Sequence, residues 1–162
     1  MTAACSSPTP RVLAAGLVAL DVLRRRGEDR TSALRAGGTA GNVASILGAL
    51  GWDALAAGPA DTSAAFKFLL EDLHECGVKY YSTGSAAVPV IVQELCDRGH
   101  TFSFECPSCG GALPRFTRST LTAHPELSAH SQHADVFFAD RLLDEVLELA
   151  SAAHAQNAFI VY

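Results

Sequence analysis

"RAGGTAGNVASILGALG", residues 35–51, decides how this chain folds. Two adjacent glycines, a third ahead of Asn42, and then apolar residues at helical spacing predict a turn leading into a helix that Gly51 closes. Glycine accepts positive φ and leaves space above the main chain. Gly37 and Gly38 can therefore present bare N–H groups at a helix N-terminus, where unpaired donors and the helix dipole favour polar ligands. The spacing is neither Gly-x-Gly-x-x-Gly nor Gly-x-x-x-x-Gly-Lys-Ser/Thr, which argues against a dinucleotide crevice or a Walker-type phosphate loop. The Asn42 amide both donates and accepts, which suits a molecule rich in hydroxyls. On this stretch alone two readings stand: a cradle for a polar ligand, or a tight strand-to-helix turn with a local Asn cap.

On either side of this stretch, short apolar runs alternate with helical patterns, the signature of an α/β layer structure with a parallel sheet. "RVLAAGLVAL" (11–20) reads as a first strand, "TSALRA" as strand-like, "DALAAG" (53–58) as the strand after the glycine-led helix. "TSAAFKFLLEDLHECG" (62–77) predicts a helix with Thr62 or Ser63 as N-cap and Gly77 at its stop. "VPVIVQELC" and "HTFSFEC" predict an antiparallel hairpin over about 87–106, turning at Asp97-Arg98-Gly99. "ADVFFAD", "RLLDEVLELASAAHAQN" and "AFIVY" read as strand, amphipathic helix and strand. That last strand ends at Tyr162 with an apolar edge, which a further segment, another chain or a second copy is expected to cover.

Residues 1–10, rich in Ser, Thr and Pro, read as a loose tail, leaving one domain over 11–162. With 49% apolar residues the chain can bury a real core. A net charge of −5 without a basic stripe argues against nucleic acid as partner. The concentrated basic run, Arg24-Arg25-Arg26, is a solvated turn or else a contact for phosphate or anionic lipid. Residues 11–26 carry an apolar run shorter than the roughly 20 residues a bilayer demands, and Asp21 interrupts it, so no membrane association is expected. A cytoplasmic location follows as the expectation. There Cys5, Cys76, Cys96, Cys106 and Cys109 would be thiols or metal ligands.

Asp21 falls at the carboxyl end of the first predicted strand, where open α/β sheets place ligands, and a carboxylate there can accept two hydroxyl hydrogen bonds from one sugar. The order of Asp21, Gly37-Gly38, Asn42, "LGALGWDALAAGPAD" and "LLEDLHECGV" resembles the N-terminal half of the ribokinase-like (PfkB-type) carbohydrate kinase family. The resemblance extends over nearly all of the chain after the tail. It implies a mostly parallel sheet flanked by helices, a small antiparallel β-hairpin lid at about 87–106, and truncation at the C-terminus. It implies Asp21, Gly37, Gly38 and Asn42 as contacts to a sugar or nucleoside. For the intact family it implies phosphorylation of a substrate hydroxyl with ATP and Mg. The chain departs from the pattern at Ala60 and Phe66, where the family usually has glycines. It also lacks the family's "GAGD" catalytic loop, so little turnover is expected from these residues alone. "GPAD" at 58–61 comes too early and lacks the second glycine.

"FECPSCGGALPRF" (104–116) stands apart. Cys106-x-x-Cys109-Gly110 has the shape of half a zinc site. His130, His133, His124, His100 and Cys96 are the candidates to complete it, none at an established spacing, and the competing reading is a pair of reduced loop cysteines. Arg115 and Arg118 flank the segment and would meet an anionic group or solvent. A functional alternative from another class follows: a non-catalytic binding module that dimerises through the lid or assembles on Zn.

Overall fold

A computed structural model describes residues 8–28, 30–97, 99–117 and 125–162. Cys5, Arg98, Arg118 and His124, with most of the expected N-terminal tail, lie outside the described residues.

The central layer is an all-parallel five-stranded sheet in the order β5-β4-β1-β8-β9. Its strands are β1 (Arg11–Ala15), β4 (Asp53–Ala60), β5 (Val78–Ser85), β8 (Val136–Ala139) and β9 (Phe159–Val161). Alternation along β1 explains why both faces are covered. Val12 and Ala14 point into one cluster with Ala40, Ala44, Leu69 and Leu73, from α1 (Gly38–Ala49) and α2 (Ala64–Glu75). Leu13 and Ala15 point into the opposite cluster with Leu127, Val146 and Leu149, from α3 (Pro125–Ser131) and α4 (Asp144–His154). A strand buried on both faces must be apolar at every position, which is what "VLAA" supplies.

A second, mixed sheet of four strands has the order β3-β2-β6-β7, built from β2 (Ala19–Arg25), β3 (Ala33–Gly37), β6 (Val90–Cys96) and β7 (Gly99–Ser103). The β2–β3 and β6–β7 pairs are antiparallel hairpins, and β2 and β6 join them in parallel. The hairpin expected over about 87–106 is therefore half of a larger lid sheet.

The expected strand over 11–20 is two strands in different sheets. Gly16, at φ +148°, breaks the run. A Cβ there would lie 1.9 Å from Asp140 Oδ1, so only glycine lets the chain leave the central sheet at this point. Asp21 consequently lies inside β2 in the lid sheet, not at the carboxyl end of β1. The helices follow their signals. Ser63 Oγ accepts from the Phe66 N–H at 3.2 Å to start α2, and Gly77 at φ +75° follows its end. Phe66, where a glycine was the family's pattern, packs edge-on against Tyr80 with ring centroids 5.7 Å apart. Strand β5 and helix α3 were not anticipated from sequence.

Candidate functional site: a buried carboxylate at the start of α1

The site forms where the two sheets meet. α1 begins without a capping side chain, because its N-cap is Gly37. Its first donors go to neighbours instead: the Leu17 carbonyl accepts from the Ala40 and Gly41 N–H groups at 3.0 and 3.4 Å, and the Gly38 N–H faces the Asp21 carboxylate. Leu17 is itself held by Asp140 at the carboxyl end of β8, whose Oδ1 accepts the Leu17 N–H at 2.9 Å. From the other side, Asp72 of α2 accepts the Ala36 N–H at 2.7 Å and fixes the last residues of β3 before the glycines.

Asp21 is 5% exposed. It stands opposite Ile91 in the parallel β2–β6 register, so Gln93, two residues on, shares its face. Gln93 Nε2 donates to Asp21 Oδ2 at 2.5 Å. Oδ1 is buried and, among the described residues, has no hydrogen-bond partner. A buried acceptor left unpaired costs about 1–3 kcal/mol, so the arrangement suits a donor supplied by a ligand. Burial pushes the Asp21 carboxyl up to about 6, against the pull of Gln93 and the Gly38 N–H toward the charged form.

The two glycines serve different ends. Gly38, at φ +72°, is in the left-handed region, and a Cβ on it would lie 2.4 Å from the Leu17 carbonyl oxygen. Gly37 is extended at φ −153°, so of the pair Gly38 alone uses glycine's access to positive φ. It is required for space, since a Cβ would lie 2.0 Å from Asp21 Oδ2. Asn42 is exposed in the first turns of α1. It is four residues from Gly38, hence on the same helix face, and its Cα–Cβ bond tilts back toward the N-terminus. The structure thus gathers Asp21, Gly37 and Gly38 in direct contact, with Asn42 one turn along. Gln93, Leu17 and Asp140 were missed as supports. Gln93 carries a readable signal, a lone amide after the run Val88–Val92.

Asp140 differs from Asp21. Its second oxygen has Arg141 Nη1 at 3.2 Å, an ionic contact without hydrogen-bond alignment. "GPAD" is structural: Asp61 accepts from the Ser63 and Val88 N–H groups at 2.7 and 3.0 Å, and Ala60 sits in the β4–β5 ladder opposite Ser85. Desolvation opposes ionisation of Asp61, but those hydrogen bonds prevail and hold its carboxyl below the usual range. Both Asp61 oxygens are thus engaged by the main chain that links β4 to α2 and to Val88.

Cys106 and Cys109 lie in a loop after β7. The Cys106 N–H donates to the Gly111 carbonyl at 2.7 Å, and the Gly110 N–H to the Cys106 carbonyl at 2.8 Å. Among the described residues no group of three or more His, Cys, Asp or Glu could hold a metal ion. His130 and His133 instead flank Arg11, Asp53 and Lys79, beside residues that open β1, β4 and β5. His100 packs edge-on against Phe102 with centroids 4.8 Å apart, and Cys96 pairs with Gly99 in the hairpin. Arg115 sits over the Phe104 ring at 4.6 Å. Arg24 of the basic run pairs with Glu94 at 3.4 Å. Among the described residues no helix is long and apolar enough to cross a membrane.

The same arrangement of sheets and helices recurs in solved sugar and nucleoside kinases. Adenosine kinase from Sinorhizobium meliloti superposes with TM-score 0.68 at 16% identity, covering 94% of this chain and 56% of that one. The 2-dehydro-3-deoxygluconokinase from Thermotoga maritima gives TM-score 0.68 at 18% identity, over 94% of this chain and 50% of that one. A ribokinase from Arabidopsis thaliana, solved with ribose and ATP, gives TM-score 0.64 at 14% identity, over 96% and 53%. No protein-family model matches the chain, and no curated protein matches it in sequence. The chain has the ribokinase-like fold, and it spans about half the length of these solved structures.

Proposed function

We propose that this chain is the sugar-binding half of an ATP-dependent kinase acting on a hydroxyl of a sugar or nucleoside. The observation that carries the reading is the unpartnered, buried Oδ1 of Asp21 beside Gly37 and Gly38 at the start of α1. A substrate hydroxyl donates to Asp21, main-chain groups of Gly37 and Gly38 line the floor, and the Asn42 amide exchanges hydrogen bonds with a neighbouring hydroxyl. The solved ribokinase with ribose and ATP supports the substrate class through its shared fold. Phosphoryl transfer further requires charge stabilisation and a base, which the described residues do not assemble, so on this reading they bind substrate with negligible turnover.

A panel of pentoses, hexoses and nucleosides tested by thermal shift checks the reading. One polyol class raises the melting temperature, and Asn42→Ala weakens that shift. A flat response across the panel contradicts the assignment.

Pairing of two copies through the lid is supported by one observation. β7 is an edge strand of the lid sheet, and its Phe102 is 58% exposed. Sedimentation of wild type against Phe102→Glu tests it. A dimer lost in the variant supports the pairing, and a monomeric wild type refutes it.

A further inference from the structure

The loop between β7 and Pro114 closes on itself more tightly than a connection requires. Glu105 bridges Ala112 in antiparallel fashion, the Leu113 N–H donates to the Phe104 carbonyl at 2.8 Å, and Cys106 and Gly111 pair inside that bridge. The Gly110-to-Cys106 hydrogen bond then winds residues 106–110 into one turn, with Gly110 at φ +69°. Residues three apart in such a turn have Cβ atoms about 5–6 Å apart, within a small adjustment of disulfide distance. The Cys109 thiol and main-chain N–H lie near enough to the Cys106 sulfur to favour its thiolate. Cys109 is exposed and Cys106 half-buried, so both are accessible.

A tetrahedral zinc site needs four ligands, and the described residues bring no third one to this turn. A disulfide needs two. We propose that Cys106 and Cys109 form a redox-active dithiol that closes reversibly to an intraloop disulfide by exchange with a low-molecular-weight disulfide. The Cys106 thiolate attacks one sulfur of the disulfide RSSR, forming a mixed disulfide and releasing RS⁻, which takes up the proton Cys106 has lost. The Cys109 thiolate then attacks Cys106 Sγ, and the second RS⁻ leaves and takes the Cys109 proton. Two thiols are oxidised to one disulfide, and RSSR is reduced to two RSH. Cys106 is the attacking sulfur because the N–H groups of Ser108 and Cys109 both point at its Sγ, which favours its thiolate. The loop is joined to the lid sheet by the Val90 N–H to the Pro114 carbonyl at 3.0 Å. The adjacent Pro89 carbonyl accepts the Leu20 N–H at 2.8 Å, one residue before Asp21.

The test incubates the reduced full chain with oxidised glutathione and maps cysteine states by alkylation and peptide mass. The expected result is an intrachain 106–109 disulfide that dithiothreitol reverses. Cys109→Ser traps a stable glutathione adduct at Cys106, and Cys106→Ser slows reaction at Cys109 about tenfold or more, as expected when the thiol with the larger thiolate fraction is removed. The proposal is overturned if both thiols stay reduced while Cys76 or Cys96 reacts. It is equally overturned if Cys109 reacts at an unchanged rate without Cys106, or if the reduced chain retains stoichiometric zinc through dialysis and resists oxidation.

Discussion

A Cβ placed on Gly37 would lie 2.0 Å from Asp21 Oδ2. The main chain at the start of α1 and the carboxylate of β2 are thus in direct contact, and only glycine at position 37 leaves room for it. Replacing Gly37 by Ala must expel the carboxylate, and we expect a loss of several kcal/mol, in the range of severe overpacking. Gly51→Ala is the control: φ is +87° and no atom lies within 4 Å, so only the left-handed backbone cost of about 1 kcal/mol applies. Combining Gly37→Ala with Asp21→Ala recovers much of the loss, a coupling readable by denaturant titration.

Stability should depend on pH through Asp21. Its folded carboxyl titrates at about 6 against 3.8 when unfolded, so the folded state binds the extra proton. Stability therefore falls as pH rises from about 4 through 6 and stays level above, by about 1–3 kcal/mol from this group. Asp21→Asn removes the buried charge. We expect the variant to be more stable than wild type at pH 8 and indistinguishable near pH 4, by thermal or urea unfolding at the two pH values. A wild-type advantage at pH 8 would contradict the account.

Much of this was legible in the sequence, and the misses have physical causes. Asp21, Gly37, Gly38 and Asn42 stood out because a carboxylate in an apolar run and paired glycines before a helix are costly without a role. The break after β1 did not stand out, because "RVLAAGLVAL" is apolar on both sides of Gly16 and the partner that requires the glycine, Asp140, is distant in sequence. Strand β5 lies at the sheet's edge beside β4, so "VKYYSTGS" lacks the apolar run expected of a buried parallel strand. Helix α3 spans seven residues, too few for periodicity to register. The lid's true extent was hidden because strand pairing between distant hairpins leaves no local signal.

Asp140 should matter to the site without touching the ligand. Asp140→Ala leaves the Leu17 N–H without its acceptor and frees the carbonyl that caps α1. We expect a loss of about 1–3 kcal/mol in stability, with weaker polyol binding. Asp140→Asn retains an acceptor oxygen and should recover most of both. Equal damage from Ala and Asn would contradict the capping role.

Calorimetric titration of wild type and Asp21→Asn, using the polyol that gives the largest thermal shift, isolates what the Asp21 carboxylate contributes to binding. Wild type is expected to bind, more tightly at pH 7.5 than at pH 5 as Asp21 ionises, and Asp21→Asn to stay folded but lose about tenfold or more in affinity, the scale of one charge-assisted hydrogen bond. Unchanged affinity in Asp21→Asn, or tighter wild-type binding at the lower pH, would contradict that role for Asp21.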